Sequence, residues 1–110
     1  ANKIRKQVAK WAAAGNPNVN HYDLILNAEK AVLQKKHDTA EKLYKEAIIR
    51  AARTGRLHDA ALFNERYADY RLARKDVDDA KYHMSQAVRY YSEWGADGKA
   101  EMLRREMDRL

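Results

Sequence analysis

The chain has 110 residues, no cysteine, one proline and a formal net charge of +6. Without cysteine, disulfides and thiolate metal sites are excluded, and a reducing compartment, the cytoplasm, is the expected location. One domain, or one piece of a longer array, fits this length, and abundant Ala, Leu, Lys, Arg and Glu favour helix throughout. No apolar run reaches the ~18 residues of a membrane-spanning helix.

The first predicted helix covers about residues 2–14. Ile4, Val8, Trp11 and Ala12 share one side and Lys3, Lys6 and Lys10 the other. Gly15 stops it, and Asn16-Pro17 prevents continuation. A patterned helix entered directly at Ala1 reads as a fragment or a processed chain. The second predicted helix runs from about Asn20, as cap, to Lys36. Its apolar stripe is Leu24, Ala28, Ala31 and Val32, and Ile25 and Leu33 widen it, so cover on two sides is expected.

The third begins at Asp38, which pairs with Glu41 as a capping-box variant, and ends at Gly55. Ala40, Leu43, Tyr44, Ala47, Ile48 and Ala51 are its expected buried stripe. The fourth, about Leu57 to Lys75, reads as Ala61, Leu62, Ala68 and Leu72 in the core, with Phe63, Tyr67 and Tyr70 partly on another face. The fifth, about Val77 to Trp94, takes Asp76 or Asp78 as cap and buries Ala80, Met84, Ala87, Val88 and Tyr91. The sixth follows Gly95, capped by Asp97, with Ala100, Leu103 and Met107 inward and a polar outer side.

These helices repeat. A shift of 40 residues carries Asp38, Ala40, Ala47, Ile48 and Gly55 onto Asp78, Ala80, Ala87, Val88 and Gly95. The opposite shift carries Tyr44, Ala47, Ile48 and Gly55 onto Ile4, Gln7, Val8 and Gly15. The expected architecture is therefore all-α, about six helices in antiparallel helix-pair repeats: a half repeat over 1–15, repeats over 20–55 and 57–95, and a last helix over 97–110.

Ala40-x-x-x-Tyr44-x-x-Ala47 and Ala80-x-x-x-Met84-x-x-Ala87 resemble the second helix of a tetratricopeptide repeat, with Leu24, Ala28 and Ala31 at positions of its first helix. The chain departs from that family in its longer period, its leucine in place of an aromatic, and Lys35 and Lys75 where a turn glycine is common. Residues 55–103 carry a narrower likeness. Ala61-Leu62-x-x-Glu65 followed by Tyr90-x-x-x-Trp94-Gly95-Ala96-x-x-Lys99 is similar to the helical-repeat segment of large signalling proteins, where it sits beside ATPase and sensor or kinase regions. That resemblance implies a regulatory or assembly segment without chemistry of its own.

Catalytic patterns are missing. Ser85 and Ser92 are the only serines, and His21, His37, His58 and His83 show no HExxH or i,i+4 pairing. Asp76, Asp78 and Asp79 lack the glycine turn of a calcium loop and read as acids at a helix N-terminus. No glycine-rich nucleotide cradle occurs, so neither enzyme activity nor a cofactor is expected. Stacked helix pairs present the first helix of each pair on an inner face. The expected partner site is accordingly Ile25, Glu29, Val32, Glu65, Arg66 and Asp69, with Tyr70 as a further surface contact beside Tyr90. A protein or peptide partner is expected there, apolar against Ile25 and Val32 and basic against the acids. The alternative is a nucleic acid or anionic surface on Lys3, Lys6, Lys10 and neighbouring bases. A structural spacer is the third reading. A homodimer through the N-terminal end, around Trp11, is a further expectation.

Overall fold

The computed structural model describes residues 21–110, and the first predicted helix lies outside them. Five helices follow one another: α1 (His21–Leu33), α2 (His37–Arg53), α3 (Leu57–Ala73), α4 (Val77–Trp94) and α5 (Asp97–Asp108). Helix accounts for 86% of the structure, with no strand among the described residues. None of these helices is long and apolar enough to cross a membrane.

One turn joins them all. Lys35, Gly55, Lys75 and Gly95 have φ of +60°, +72°, +65° and +95°. At each, the amide of that residue donates to the carbonyl three back, and the next amide to the carbonyl five back. Lys75 N–H reaches Leu72 O at 2.9 Å and Asp76 N–H reaches Arg71 O at 3.0 Å; at Gly95 the matching bonds go to Ser92 O at 3.1 Å and from Ala96 to Tyr91 O at 2.8 Å. The turn thus recurs every 20 residues, half the period visible in the sequence, because two of the four αL positions hold lysine. Three residues into the following helices, Ala40, Ala60, Ala80 and Ala100 are all buried.

Several helix starts differ from expectation. α2 begins at His37, so Asp38 lies inside its first turn rather than at the cap. α5 begins at Asp97 after Ala96, with no side-chain cap. Asp76 does cap α4, its Oδ1 accepting from Asp79 N–H at 3.2 Å. α1 ends at Leu33 rather than near Lys36, because the turn centred on Lys35 already begins there.

The chain divides into two compact units, residues 1–50 and 51–110. In the first, α1 buries Leu24, Ile25, Asn27, Ala28 and Ala31, and α2 buries Ala40, Tyr44 and Ala47. In the second, α4 packs on both α3 and α5. Their shared core is Ala61 and Ala68 from α3, Met84, Ala87, Val88 and Tyr91 from α4, and Ala100 and Leu103 from α5, with Tyr90, Ala96 and Met107 partly buried against it. The alanines let the helices approach closely while the larger side chains fill the layer between them. α3 is buried over a wide arc. Phe63, Tyr67 and Tyr70 are in the interior, whereas Leu62 and Leu72 are only half-buried.

Candidate interaction surfaces

Of the expected partner-binding residues, some face out and some do not. On α1, Ile25 is 4% exposed and cannot meet a partner, and Val32 is half-buried. Glu29 is half-buried and has polar or electrostatic contacts. The open side of α1 is instead a ridge of Tyr22, Leu26 and Leu33, exposed by 42%, 62% and 85%. Residues 22, 26, 29 and 33 are spaced four, three and four apart, so they run along one face of the helix. Glu29 therefore belongs to the ridge, and Leu26 and Leu33 replace Ile25 and Val32 as its apolar members. The spacing of Tyr22, Leu26 and Leu33, four and then seven residues, was present in the sequence. It was hidden by the second apolar stripe of Leu24, Ile25, Ala28, Ala31 and Val32 on the same short helix.

On the second unit, Arg66 and Asp69 are exposed on α3, whereas Tyr70 is 7% exposed and stacks on Tyr67 with centroids 6.0 Å apart. Tyr70 is a packing residue, because α3 is buried on more sides than one stripe. Tyr90 is half-buried under the Arg89 guanidinium, 4.9 Å from its ring centroid. Glu65 is committed inside the unit: Tyr91 Oη donates to its Oε1 at 3.0 Å and Lys99 Nζ to its Oε2 at 3.1 Å. It ties α3, α4 and α5 together and is not free for a partner's base. Burial and the adjacent Glu65 charge raise the Tyr91 phenol pKa, which keeps it a donor.

The residues that carried the narrower resemblance now have individual tasks. Glu65 and Lys99 form the ion pair just described. Gly95 supplies the left-handed turn and Ala96 packs on the core. Trp94 remains 56% exposed, its ring 4.7 Å from that of His58.

Asp69 stands beside this clasp. Loss of water around its carboxyl, followed by repulsion from Glu65 and Glu106, raises its pKa above the ordinary 3.8 against the smaller pull of Lys99 and Arg66. Asp76 shows the opposite effect. The hydrogen bond from Arg71, and then the backbone bond from Asp79, hold its pKa below 3.8. Arg71 also places Nε 2.9 Å from Asp79 Oδ2, which clips the end of α3 to the start of α4 across the Lys75 turn.

Ser85 and His83 are engaged locally. Ser85 Oγ donates to Tyr82 O at 2.6 Å, one turn back on its own helix. His83 Nδ1 lies 2.9 Å from Asn64 Oδ1, and Asn64 Nδ2 donates to Ala60 O at 2.8 Å. Asn64 thereby presents its oxygen to the ring, and Nδ1 carries the proton. Among the described residues, no three His, Cys, Asp or Glu side chains converge as metal ligands. Lys3, Lys6, Lys10 and Trp11 lie outside the described residues. Exposed bases do line α2, at Lys42, Lys45 and Arg53 around a 42%-exposed Ile49. Comparison with known protein families, curated proteins and solved structures gives no match.

Proposed function

We propose that this chain is a non-catalytic interaction module of stacked, tetratricopeptide-like helix pairs that takes an amphipathic helix or peptide of a partner protein. The observation that carries this reading is the α1 ridge. Three large apolar side chains in line, the two leucines 62% and 85% exposed, form a surface that water solvates poorly and a second helix covers well. Leu26 and Leu33 supply the apolar contact, and Glu29, between them, favours a partner with a base at that point. The resemblance of residues 55–103 supports a place within a larger signalling protein, where such a module assembles other parts.

The test is selection of binders from a displayed library of helical peptides. The expected winners carry apolar residues at i, i+3/i+4 and i+7, and lose at least tenfold in affinity against Leu26→Glu/Leu33→Glu. Winners without that pattern, or with undiminished affinity, would count against the ridge. The rival reading has Lys42, Lys45 and Arg53 in its favour, and predicts binding to a random oligonucleotide that weakens steeply with salt. Finding that behaviour would move the function to α2 and its anionic partner.

A further inference from the structure

The open side of α1 is not purely apolar, and its polar members stand in a particular order. Leu26, Glu29, Lys30 and Leu33 lie at i, i+3, i+4 and i+7, which places all four on one side of the helix. Leu26 and Leu33 are exposed by 62% and 85%, and Glu29 and Lys30 lie half-buried between them. Along the helix the order is apolar, acid, base, apolar. From the other end the same face runs apolar, base, acid, apolar. A face with that order complements itself when it is turned end for end.

Two copies of α1 packed antiparallel, with the twofold axis between positions 29 and 30, realise that match. Leu26 of each copy meets Leu33 of the other, and Glu29 of each meets Lys30 of the other. Two leucine pairs then flank two acid–base pairs, as a symmetric contact between identical surfaces requires. Glu29 has contacts within its own chain, but a carboxylate has two oxygens and room for more than one donor. The Lys30 stem can lie along the leucines while its ammonium reaches the acid. Other alignments lose the match. A parallel pair sets Glu29 beside Glu29 and Lys30 beside Lys30. An antiparallel pair centred on Leu26 sets Glu29 against Asp23, and one centred between positions 27 and 28 sets it against Leu26. Like charges brought together in the wrong registers select the remaining one.

We infer that the ridge binds a second copy of this chain, α1 against α1 in that antiparallel register. This rests on the reading of the ridge as a docking surface and names the partner. Four residues a side fall well short of the roughly 20–30 of a stable interface. The dimer is therefore weak, and its population follows protein concentration.

Sedimentation of the whole chain from about 10 μM to about 1 mM, the range of a weak complex, should show monomer passing to dimer. Leu26→Glu/Leu33→Glu should abolish the dimer and, at exposed sites, keep the helical circular dichroism. Glu29→Lys and Lys30→Glu should each weaken it roughly tenfold, because each sets two like-charged pairs at its centre. The exchange Glu29→Lys/Lys30→Glu should restore it. A mixture of the two single variants should also dimerise, since acid again meets base. A dimer indifferent to these changes, or single variants that do not recover in the mixture, would overturn the inference. A chain that stays monomeric throughout would overturn it too. If a library-selected helical peptide still binds Leu26 and Leu33 of that monomer, the docking surface stands without the second copy; if none does, both readings fall.

Discussion

The four turn residues adopt one conformation with two residue types, and the difference is measurable. Gly55 and Gly95 reach positive φ without steric cost, and a Cβ at either would touch nothing within 4 Å. Gly95→Ala should therefore cost ~1 kcal/mol through backbone conformation alone. Lys75 already bears that cost at φ +65°, so Lys75→Gly should stabilise the chain by a few tenths to ~1 kcal/mol. Denaturant midpoints of the two variants should move in opposite directions. Parallel shifts would mean that the turns differ in more than the Cβ. Asp69 gives a second residue-scale test. Its folded-state pKa is raised, so its contribution to stability is full below the unfolded value of 3.8 and is lost as pH rises through the folded value. Asp69→Asn should accordingly raise the melting midpoint near pH 7 and change it little near pH 3. A benefit that grew as the pH fell would contradict the assigned cause.

Helix existence and ends were largely legible, because capping glycines and a 40-residue recurrence give strong local signals. The α4 boundaries, Val77 to Trp94, agree with the sequence reading, and so does its stripe of Ala80, Met84, Ala87, Val88 and Tyr91. Lys35 and Lys75 stand where a turn glycine is common, but lysine has no preference for positive φ, so the sequence did not mark those two turns as copies of the glycine turns. Faces were harder. α1 has apolar residues over most of its circumference, so periodicity alone could not separate Ile25, 4% exposed, from Leu26, 62% exposed. α3 is buried over more than one stripe, which drew Tyr70 into the interior. The acids split in the same way. Glu65 and Asp69 are one turn apart on α3, yet it is Glu65 that receives the bonds from Tyr91 and Lys99. That distinction needs three helices in place and is absent from local sequence. At this scale the close approach of α4 to its neighbours rests on Ala87, which is fully buried in their shared core. Ala87→Leu should destabilise by ~1–3 kcal/mol through overpacking. An unchanged midpoint would show room between the helices that their packing does not leave.

For the whole molecule, polar groups are distributed according to what each surface does. In the second unit several buried or half-buried groups are matched to one another: Asn64 to His83, Glu65 to Tyr91 and Lys99, and Arg71 to Asp76 and Asp79. The outer side of α5 carries Glu101 bridged to Arg104 at 3.0 Å and to Arg105 at 3.4 Å. Shifting α3 by 40 residues sets Glu101 and Asp108 where Ala61 and Ala68 pack on α4, so α5 keeps one packing face and presents charge on the other. In the first unit α1 does the reverse and leaves leucines in water. That exposed apolar line along one helix is the feature on which the proposed docking rests.

Amide chemical-shift mapping with a library-selected peptide would show whether a partner binds on the α1 ridge. Saturating peptide should shift the resonances of Tyr22, Leu26, Glu29 and Leu33 and leave α4 and α5 unmoved. Perturbations gathered instead on Lys42, Lys45, Ile49 and Arg53, or spread over the second unit with α1 silent, would contradict binding on the ridge.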